Sequence, residues 1–380
     1  MIHKSVHQPI HRSIHSSVHA SAPGKILWIG GYSVLEKNSV SLVTAVSARV
    51  HAYAKKRKDG GFGLNMPQFG IKCNKISELS EDEKKTARFV ISAIDTTKLY
   101  LNSKGKKIIG CEIKTISDDA FSVNSGKSGL GSSAAVTVAA VAVLLALNGF
   151  GKNKKLVHKI SQYAHALAQG KVGSGFDIAC ATYGTICYTC YSPSLVNIID
   201  NSQIEKTIES PWDCSIKEMR WPKNFYIVVG NFKNKSTSTT EMVKRVMDFK
   251  KKKPEEYTKL ICELNKENEK AIKAISDRNS HALNLDEFVD HFNKGRLLTK
   301  KLGDLSGAEI ESMQCTEIIE LIIKGGALVA KLPGAGGGDS ICAICLSNKK
   351  AKDVSKLLEM QGNIEILNVQ IENKGFEVGF

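Results

Sequence analysis

The chain has 380 residues, more than a single hydrophobic core usually supports, so two domains are expected. Its net charge of +15 comes from scattered lysines and arginines without interleaved aromatic residues, which argues against nucleic-acid binding and suits an anionic small-molecule ligand. The apolar run at 136–147 is too short to span a bilayer, so it predicts a buried helix and no membrane segment.

The first twenty residues form a distinct segment, in which a histidine recurs at every fourth position: His3, His7, His11, His15 and His19. On a helix this spacing would align the histidines in a stripe suited to a transition metal, but Pro9 and many serines disfavour a helix. We therefore predict that residues 1–20 are a disordered, low-complexity extension without a catalytic part.

The remaining sequence alternates between strand and helix patterns. Strands are predicted at 25–29, 39–46, 50–54 and 108–116, and helices at 74–103, 136–147 and 156–168. A buried strand at 224–230 is expected to open a second domain, whose helices are predicted at 238–253, 255–275, 284–302, 308–324 and 350–361. This order predicts an α+β fold with an N-terminal domain at 21–222 and a C-terminal domain at 223–380.

Ten cysteines include two Cys-x-x-Cys pairs, Cys187 with Cys190 and Cys342 with Cys345. Both pairs lie in strand-like sequences, where positions i and i+3 point to opposite faces, so neither pair would chelate one metal ion. We therefore expect buried free thiols, which indicate a reducing compartment and a cytoplasmic protein.

The most distinctive segment is a loop that runs directly into the predicted apolar helix and consists of Lys127, Ser128, Gly129, Leu130, Gly131, Ser132, Ser133 and Ala134. Its glycines allow a tight turn with inward N–H groups, and the helix that follows directs its positive end to the same place. The loop therefore predicts a phosphate site, although it lacks the Gly-Lys-Ser/Thr that closes a Walker A motif. The alternative is an ordinary loop that caps a core helix.

This loop resembles the second motif of the GHMP small-molecule kinases, whose core is Gly-Leu-Gly-Ser-Ser-Ala. The segment at 22–36 is similar to the first motif of that family. The segment at 332–339 is similar to the third motif and contains Gly334, Ala335, Gly336, Gly337, Gly338 and Asp339. The resemblance implies a two-domain GHMP kinase fold that binds ATP at the N-terminal Gly-Ser loop and has a ferredoxin-like α/β sandwich as its C-terminal domain.

A further glycine-rich stretch at 168–177 contains one aspartate and one lysine. By itself, an aspartate after a glycine turn is commonly a helix cap. In the GHMP kinases the matching aspartate faces the acceptor oxygen beside the first-motif lysine, so the resemblance implies Asp177 and Lys25 as the catalytic pair. It also implies ATP and Mg²⁺ as cofactors, with Ser133 as the metal ligand and no evident carboxylate partner. Whether Asp177 removes a proton or only orients the acceptor is left open.

Two positions select the acceptor within the family. Mevalonate kinases carry a Glu-His pair after the first-motif glycine and an acid after Gln-Gly, whereas this chain has Tyr32 and Lys171 there. A cation in place of an acid suits an acceptor that carries its own phosphate. The resemblance therefore implies phosphorylation of 5-phosphomevalonate to 5-diphosphomevalonate. The implied substrate-binding residues are Tyr32, Lys171, Ser174, Gly175, Ser238 and Thr239.

Several alternatives stay open at this point. The Ser-Thr cluster at 236–240 precedes a predicted helix and is also explained as an N-cap. Another small-alcohol kinase of the family, such as a mevalonate kinase, is disfavoured by Lys171. A catalytically inactive, ligand-sensing relative is disfavoured by the intact Lys25, Ser133 and Asp177. The chain is expected to act as a monomer or a homodimer.

Overall fold

The computed structural model of the chain describes residues 17–123, 126–170, 173–196, 201–233, 239–276 and 283–379. The strands are β1 (Ser17–Ile29), β2 (Val40–Lys56), β3 (Gly63–Met66), β4 (Ile71–Cys73), β5 (Cys111–Ser117), β6 (Ser122–Val123), β7 (Gly126–Lys127), β8 (Ile186–Thr189), β9 (Ser215–Glu218), β10 (Tyr226–Phe232), β11 (Val329–Lys331), β12 (Ser340–Cys345), β13 (Ile364–Ile366), β14 (Ile371–Glu372) and β15 (Glu377–Gly379). The α-helices are α1 (Glu81–Ser103), α2 (Ser132–Leu147), α3 (Lys154–Gln169), α4 (Phe176–Tyr183), α5 (Ile204–Glu209), α6 (Thr239–Lys252), α7 (Pro254–Ser276), α8 (Leu285–Ser306), α9 (Met313–Lys324) and α10 (Asn348–Glu359). No described helix combines the length and apolar content that crossing a bilayer requires.

The first sheet is built around β2. One edge of β2 pairs with β1 over most of its length, while the other edge pairs with β8 and β14 and then with β5. The sequence predicted two strands here, at 39–46 and 50–54. A single strand forms instead because nearly every part of it finds a partner on both edges.

A layer of helices covers one side of this sheet. Helix α2 packs directly on β1 and β2, and α1, α3 and α4 surround it. It is buried almost all around, and its many alanines allow neighbouring backbones to approach closely. Helix α2 starts earlier than predicted, at Ser132 just after Gly131, so its N-terminus opens directly onto the Gly-Ser loop.

Helix α1 is shorter than predicted because a capping box fixes its first residue. The Ser80 hydroxyl accepts a hydrogen bond from the Glu83 backbone N–H, and the Glu83 carboxylate accepts one from the Ser80 N–H at 2.8 Å. Residues 71–73 before it form strand β4. The predicted helix at 74–103 is therefore observed only from Glu81 onwards.

The second sheet has four antiparallel strands in the order β11-β12-β10-β13. In chain order this is 2-3-1-4, the strand order of a ferredoxin-like sandwich, with α9 and α10 packed together on it. Helices α6, α7 and α8 form a further layer that also contacts the short 3-10 helix at Gly31–Leu35. The predicted α+β, two-domain fold is confirmed.

Two of the predicted domain boundaries are wrong. Strand β1 begins at Ser17, and Val18 and Ala20 are buried, so the N-terminal extension ends before residue 17 and not at residue 20. The rest of the predicted extension, 1–16, lies outside the described residues. At the other end, β14 and β15 pair with β2 and β1, so the chain returns to the first sheet before it ends.

Arg49 holds this returning segment in place. Its guanidinium donates hydrogen bonds to the Glu372 carboxylate at 2.7 Å and to the Gly375 carbonyl at 2.7 Å. It also donates to the Ser21 hydroxyl in β1 at 2.9 Å. One buried cation thus joins the two ends of the described chain to the same sheet.

The cysteines agree with the prediction of free thiols. All ten are unpaired; Cys190, Cys342 and Cys345 are buried, and Cys187 is half-buried. Burial raises the pKa of the Cys342 thiol to about 12 and that of Cys345 to about 11, so both stay protonated near neutral pH.

Candidate active site

Lys25 lies in the first glycine-rich segment, residues 22–36, and connects it to the Gly-Ser loop at residues 127–134. Its backbone N–H donates to the Leu130 carbonyl at 2.8 Å, and its amine donates to the Gly129 carbonyl at 2.8 Å. The start of strand β12 lies against the same loop, since a side chain on Gly129 would place its Cβ only 2.9 Å from the Ser340 hydroxyl. Segments separated by hundreds of residues therefore meet at one point.

The third glycine-rich segment, residues 332–339, is hydrogen-bonded to the first segment and to the residues that follow α8. The Tyr32 hydroxyl donates to the Ala335 carbonyl at 3.0 Å. The Gly337 N–H donates to the Ile310 carbonyl at 2.8 Å, and Gly336 lies so close to that carbonyl that a Cβ would be 2.4 Å away. Only glycine fits at Gly336, whose φ is +79°.

The Gly-Ser loop has the geometry of an anion site. Gly129 and Gly131 have φ angles of +70° and +80°, in the left-handed region that favours glycine. Gly131 also faces the Lys25 stem, whose Cε would lie 2.9 Å from a Cβ at that position. Helix α2 starts at the exposed Ser132 and the half-buried Ser133, so the first-turn N–H groups point towards the loop.

The remaining loop residues lie along the same turn. Ser128 and Leu130 are buried, and Ala134 is buried inside α2. The backbone of Lys127 pairs with Ser122 in the β6-β7 ribbon. The Lys127 side chain lies outside the described part of the chain.

Asp177 lies in the first turn of α4, where its charge interacts with that of Lys25. Helix α4 follows Gly175, whose φ is +81°, and the Asp177 carboxylate accepts a hydrogen bond from the Ile178 N–H at 2.9 Å. Burial lowers the pKa of the Lys25 amine, and attraction to Asp177 opposes that decrease. The predicted catalytic pair therefore shares one electrostatic environment, while the amine itself is hydrogen-bonded to the Gly-Ser loop.

Two buried tyrosines hold the loop that leads to Asp177. The Tyr188 hydroxyl donates to the Ser174 carbonyl and the Tyr191 hydroxyl donates to the Gly173 carbonyl, both at 2.9 Å. Gly175 packs against the Tyr191 ring, which leaves no space for a side chain. The sequence analysis missed this role, and the sole signal for it was the pair of tyrosines three residues apart in the strand-like run at 184–191.

His165 is a second residue that the sequence analysis missed. It lies on α3 and is 3% exposed, and its Nε2 is 3.3 Å from the Ser133 hydroxyl and 3.3 Å from the Gln169 side-chain nitrogen. Burial lowers the pKa of His165, with Asp177 acting in the opposite direction. The spacing of His165 and Gln169 places both on one helix face, which was the available signal.

The predicted acceptor residues are placed unevenly. Tyr32 is 3% exposed and packs against α6 and α7, which favours a role in joining the first and third segments over the predicted contact with the acceptor. Thr239 is exposed at the start of α6. Lys171 and Ser238 lie outside the described residues.

The donor set fits the implied magnesium ion. The Ser133 hydroxyl lies in the first turn of α2 and the Asp177 carboxylate in the first turn of α4, and a hydroxyl and a carboxylate are oxygen ligands that suit Mg²⁺. In the described part of the chain no group of three or more His, Cys, Asp or Glu side chains could hold a metal ion. Mg²⁺ is commonly bound in this manner, by one or two protein oxygens together with nucleotide phosphates.

Comparison with known proteins agrees with this geometry. The GHMP kinases N terminal domain matches residues 89–185, and the GHMP kinases C terminal domain matches residues 293–359. The fold resembles that of Streptococcus pneumoniae phosphomevalonate kinase in complex with phosphomevalonate and AMPPNP, with a TM-score of 0.73, 18% identity, and coverage of 93% of this chain and 99% of the other. The chain belongs to the GHMP kinase family.

The similarity extends to particular members of this family. Phosphomevalonate kinase from Candida albicans is 30% identical, over 89% of this chain and 92% of its own length. Phosphomevalonate kinase from Saccharolobus solfataricus is 33% identical, over 85% of this chain and 89% of its own length. Within the GHMP kinases, this chain is thus similar to phosphomevalonate kinases along most of its sequence.

Proposed function

We propose that the chain catalyses transfer of the γ-phosphoryl group of ATP to the terminal phosphate oxygen of 5-phosphomevalonate, with 5-diphosphomevalonate and ADP as products. This is a step of the mevalonate route to isoprenoids. The observation that carries the proposal is the junction at Lys25, where the first and second glycine-rich segments meet and where the Lys25 charge interacts with that of Asp177. The relatives named phosphomevalonate kinase support the choice of acceptor.

The nucleotide phosphates would bind at the N-terminus of α2. The first-turn N–H groups and the helix dipole favour anions there, and the glycines at 129 and 131 allow close approach of the backbone. Mg²⁺, held by Ser133 and the phosphates, would neutralise the charge that develops on the transferred group. The loop at 334–339 would complete the cradle from the C-terminal domain.

Asp177 and Lys25 would act on the acceptor. The carboxylate would orient the attacking phosphate oxygen, and the Lys25 cation would stabilise both the carboxylate and the negative charge between the two substrates. Lys171 and the Ser-Thr cluster that includes Ser238 and Thr239 would bind the acceptor phosphate, because a cation and the start of a helix both attract anions.

The sharpest test is an ADP-release assay with four acceptors: mevalonate, 5-phosphomevalonate, 5-diphosphomevalonate and homoserine. We expect kcat/KM for 5-phosphomevalonate to exceed that for each of the others by about 100-fold or more. Mevalonate and homoserine leave the cations of the phosphate site unpaired, and 5-diphosphomevalonate carries a second phosphate where the γ-phosphoryl group of ATP has to lie. Preferred turnover of mevalonate would identify a mevalonate kinase. Binding of 5-phosphomevalonate without ADP release would identify a ligand-sensing relative.

The cellular compartment and the binding partners of the enzyme are part of the same proposal. Free, buried thiols such as Cys190 and Cys342 persist in a reducing compartment, which favours the cytoplasm. We propose a small-molecule kinase that has neither nucleic acid nor membrane as a partner.

A further inference from the structure

We propose that His165 is a positioning residue, which orients the hydroxyl of Ser133 so that its oxygen is ready to bind magnesium. This inference rests on the proposed function, because it concerns the metal that accompanies ATP. His165 lies on helix α3, which carries none of the three family motifs.

The geometry begins with the environment of His165 Nε2. The Gln169 side-chain nitrogen, which is a hydrogen-bond donor, lies 3.3 Å from Nε2. We assign His165 the tautomer that carries its proton on Nδ1, because Nε2 then presents its lone pair to this donor. The Ser133 hydroxyl oxygen lies 3.3 Å from the same nitrogen, and in the tautomer that we assign the hydroxyl donates to Nε2, sharing its one lone pair with the Gln169 amide.

This hydrogen bond determines where the Ser133 oxygen can bind a cation. A serine hydroxyl has one proton and two lone pairs, and it rotates to suit its neighbours. With the proton directed at α3, the lone pairs remain available on the side of the α2 N-terminus. A ligand oriented in advance loses less conformational freedom when the metal binds, so the affinity for the metal is higher.

The imidazole is itself held rigidly. Its ring stacks on Phe89 of α1, with a centroid distance of 5.2 Å and an interplanar angle of 24°. Helices α1, α2 and α3 also pack against one another. His165 is thus well suited to hold Ser133 in one rotamer.

Two substitutions separate the acceptor atom from the shape of the ring. His165→Phe keeps an aromatic ring on Phe89 and removes the acceptor. His165→Gln removes the ring and places an amide oxygen near the position of Nε2. Binding of the non-hydrolysable analogue AMPPNP to the full chain is measured by calorimetry with excess Mg²⁺ and again with EDTA, and the ratio of the two affinities is compared between variants.

We expect His165→Phe to reduce the Mg²⁺-dependent gain in affinity by about 10- to 100-fold, as is usual when a partner of a metal ligand is lost. Its affinity in EDTA should stay within about twofold of the wild type, and His165→Gln should retain most of the gain. Ser133→Ala should lose the gain too, and adding His165→Phe to it should change little further. A variant that is merely less stable would lose affinity under both conditions.

The result that overturns the inference is a wild-type Mg²⁺ gain in His165→Phe, or independent, additive losses from His165→Phe and Ser133→Ala. If His165→Phe does not fold, as judged by thermal unfolding, His165→Asn replaces it, because its shorter amide does not reach Ser133. A wild type that binds AMPPNP equally well with and without Mg²⁺ would overturn this inference. A wild type that shows the Mg²⁺ gain but no turnover of 5-phosphomevalonate would reject the proposed function and leave His165 to be judged by the ratio.

Discussion

Lys25 shows how much a single residue contributes to the organisation of the site. Its stem crosses Gly131, its amine binds the Gly129 carbonyl, and its charge attracts Asp177. These contacts explain why an alanine at Gly131 would be unfavourable, both for its φ of +80° and for the Cβ 2.9 Å from Lys25 Cε. The Lys25 side chain can lie where it does because glycine at position 131 has no side chain.

The substitution Asp177→Asn tests the assignment of the catalytic pair. It preserves the shape of the side chain and removes the charge that orients the acceptor, so we expect kcat to fall by about 100-fold or more with ATP affinity little changed. Steady-state kinetics with both substrates varied would measure this. Near-normal turnover would assign the catalytic role to another residue.

Lys171→Met tests the choice of acceptor. It removes the cation but keeps much of the stem, and a charge-assisted contact with phosphate contributes about 2–3 kcal/mol, so kcat/KM for 5-phosphomevalonate should fall by about 30- to 150-fold. The KM for ATP is the internal control and should barely change. Lys171→Glu should be worse still, because it places like charges together. Loss of ATP affinity with an unchanged acceptor KM would instead assign Lys171 to the nucleotide.

At the scale of secondary-structure elements, the site depends on residues that hold its loops and helices in place and take no direct part in the proposed reaction. Tyr188 in β8 and Tyr191 just after it donate hydrogen bonds to the carbonyls of the loop that leads into α4. Helix α3 presents His165 to the N-terminus of α2. Each supporting element thus fixes the first turn of a helix at which an anion or an acceptor would bind.

The variant Tyr191→Phe tests this support. It leaves the Gly173 carbonyl without its partner, which should cost about 1–3 kcal/mol in the free energy of unfolding and lower kcat by about threefold or more through a looser Asp177 loop. Urea unfolding and steady-state kinetics would measure the two effects. Tyr226→Phe is the matched control, because Tyr226 is 40% exposed in β10 and its variant should leave both quantities unchanged. Equal effects of Tyr191→Phe and Tyr226→Phe would show that Tyr191 does not hold the Asp177 loop in place.

At the scale of the whole molecule, the two ends of the described chain lie side by side at one edge of the first sheet. Strand β15 pairs with the beginning of β1, and His19 lies opposite Gly379 in that pairing. Because the last strands return to the first sheet, the C-terminal ferredoxin-like domain is connected to the N-terminal domain twice.

Truncation tests where the folded part begins. Removal of residues 1–16 should leave kcat/KM within about threefold of the full chain, because the motifs begin after it. Removal of residues 1–20 also deletes the buried Val18 and Ala20 and their pairing with β2 and β15, which should cost about 2–3 kcal/mol of stability. Thermal unfolding of the two truncated proteins separates the cases. A hundredfold loss of kcat/KM in the shorter truncation would show that the N-terminal segment belongs to the site.

The sequence by itself determined the features that depend on neighbouring residues. Gly129 and Gly131 predict a tight turn because other residues rarely adopt a positive φ, and the apolar run after them predicts a buried helix. The α+β order and the free thiols followed from similarly local patterns, whereas the ferredoxin-like second domain was implied by the resemblance that the three motifs carry. Helix boundaries were less accurate wherever a cap such as Ser80 outweighed the periodicity.

Only the tertiary structure decided the features that join distant residues. Nothing near Arg49 in sequence indicates that its partners are Glu372 and Gly375, and nothing near Ser133 indicates His165. Such contacts depend on which strands pair and which helix faces meet, and that is settled by the burial of the whole core. The last strands were therefore assigned to the wrong domain, and a residue that holds the proposed metal ligand was missed, although every residue involved was visible in the sequence.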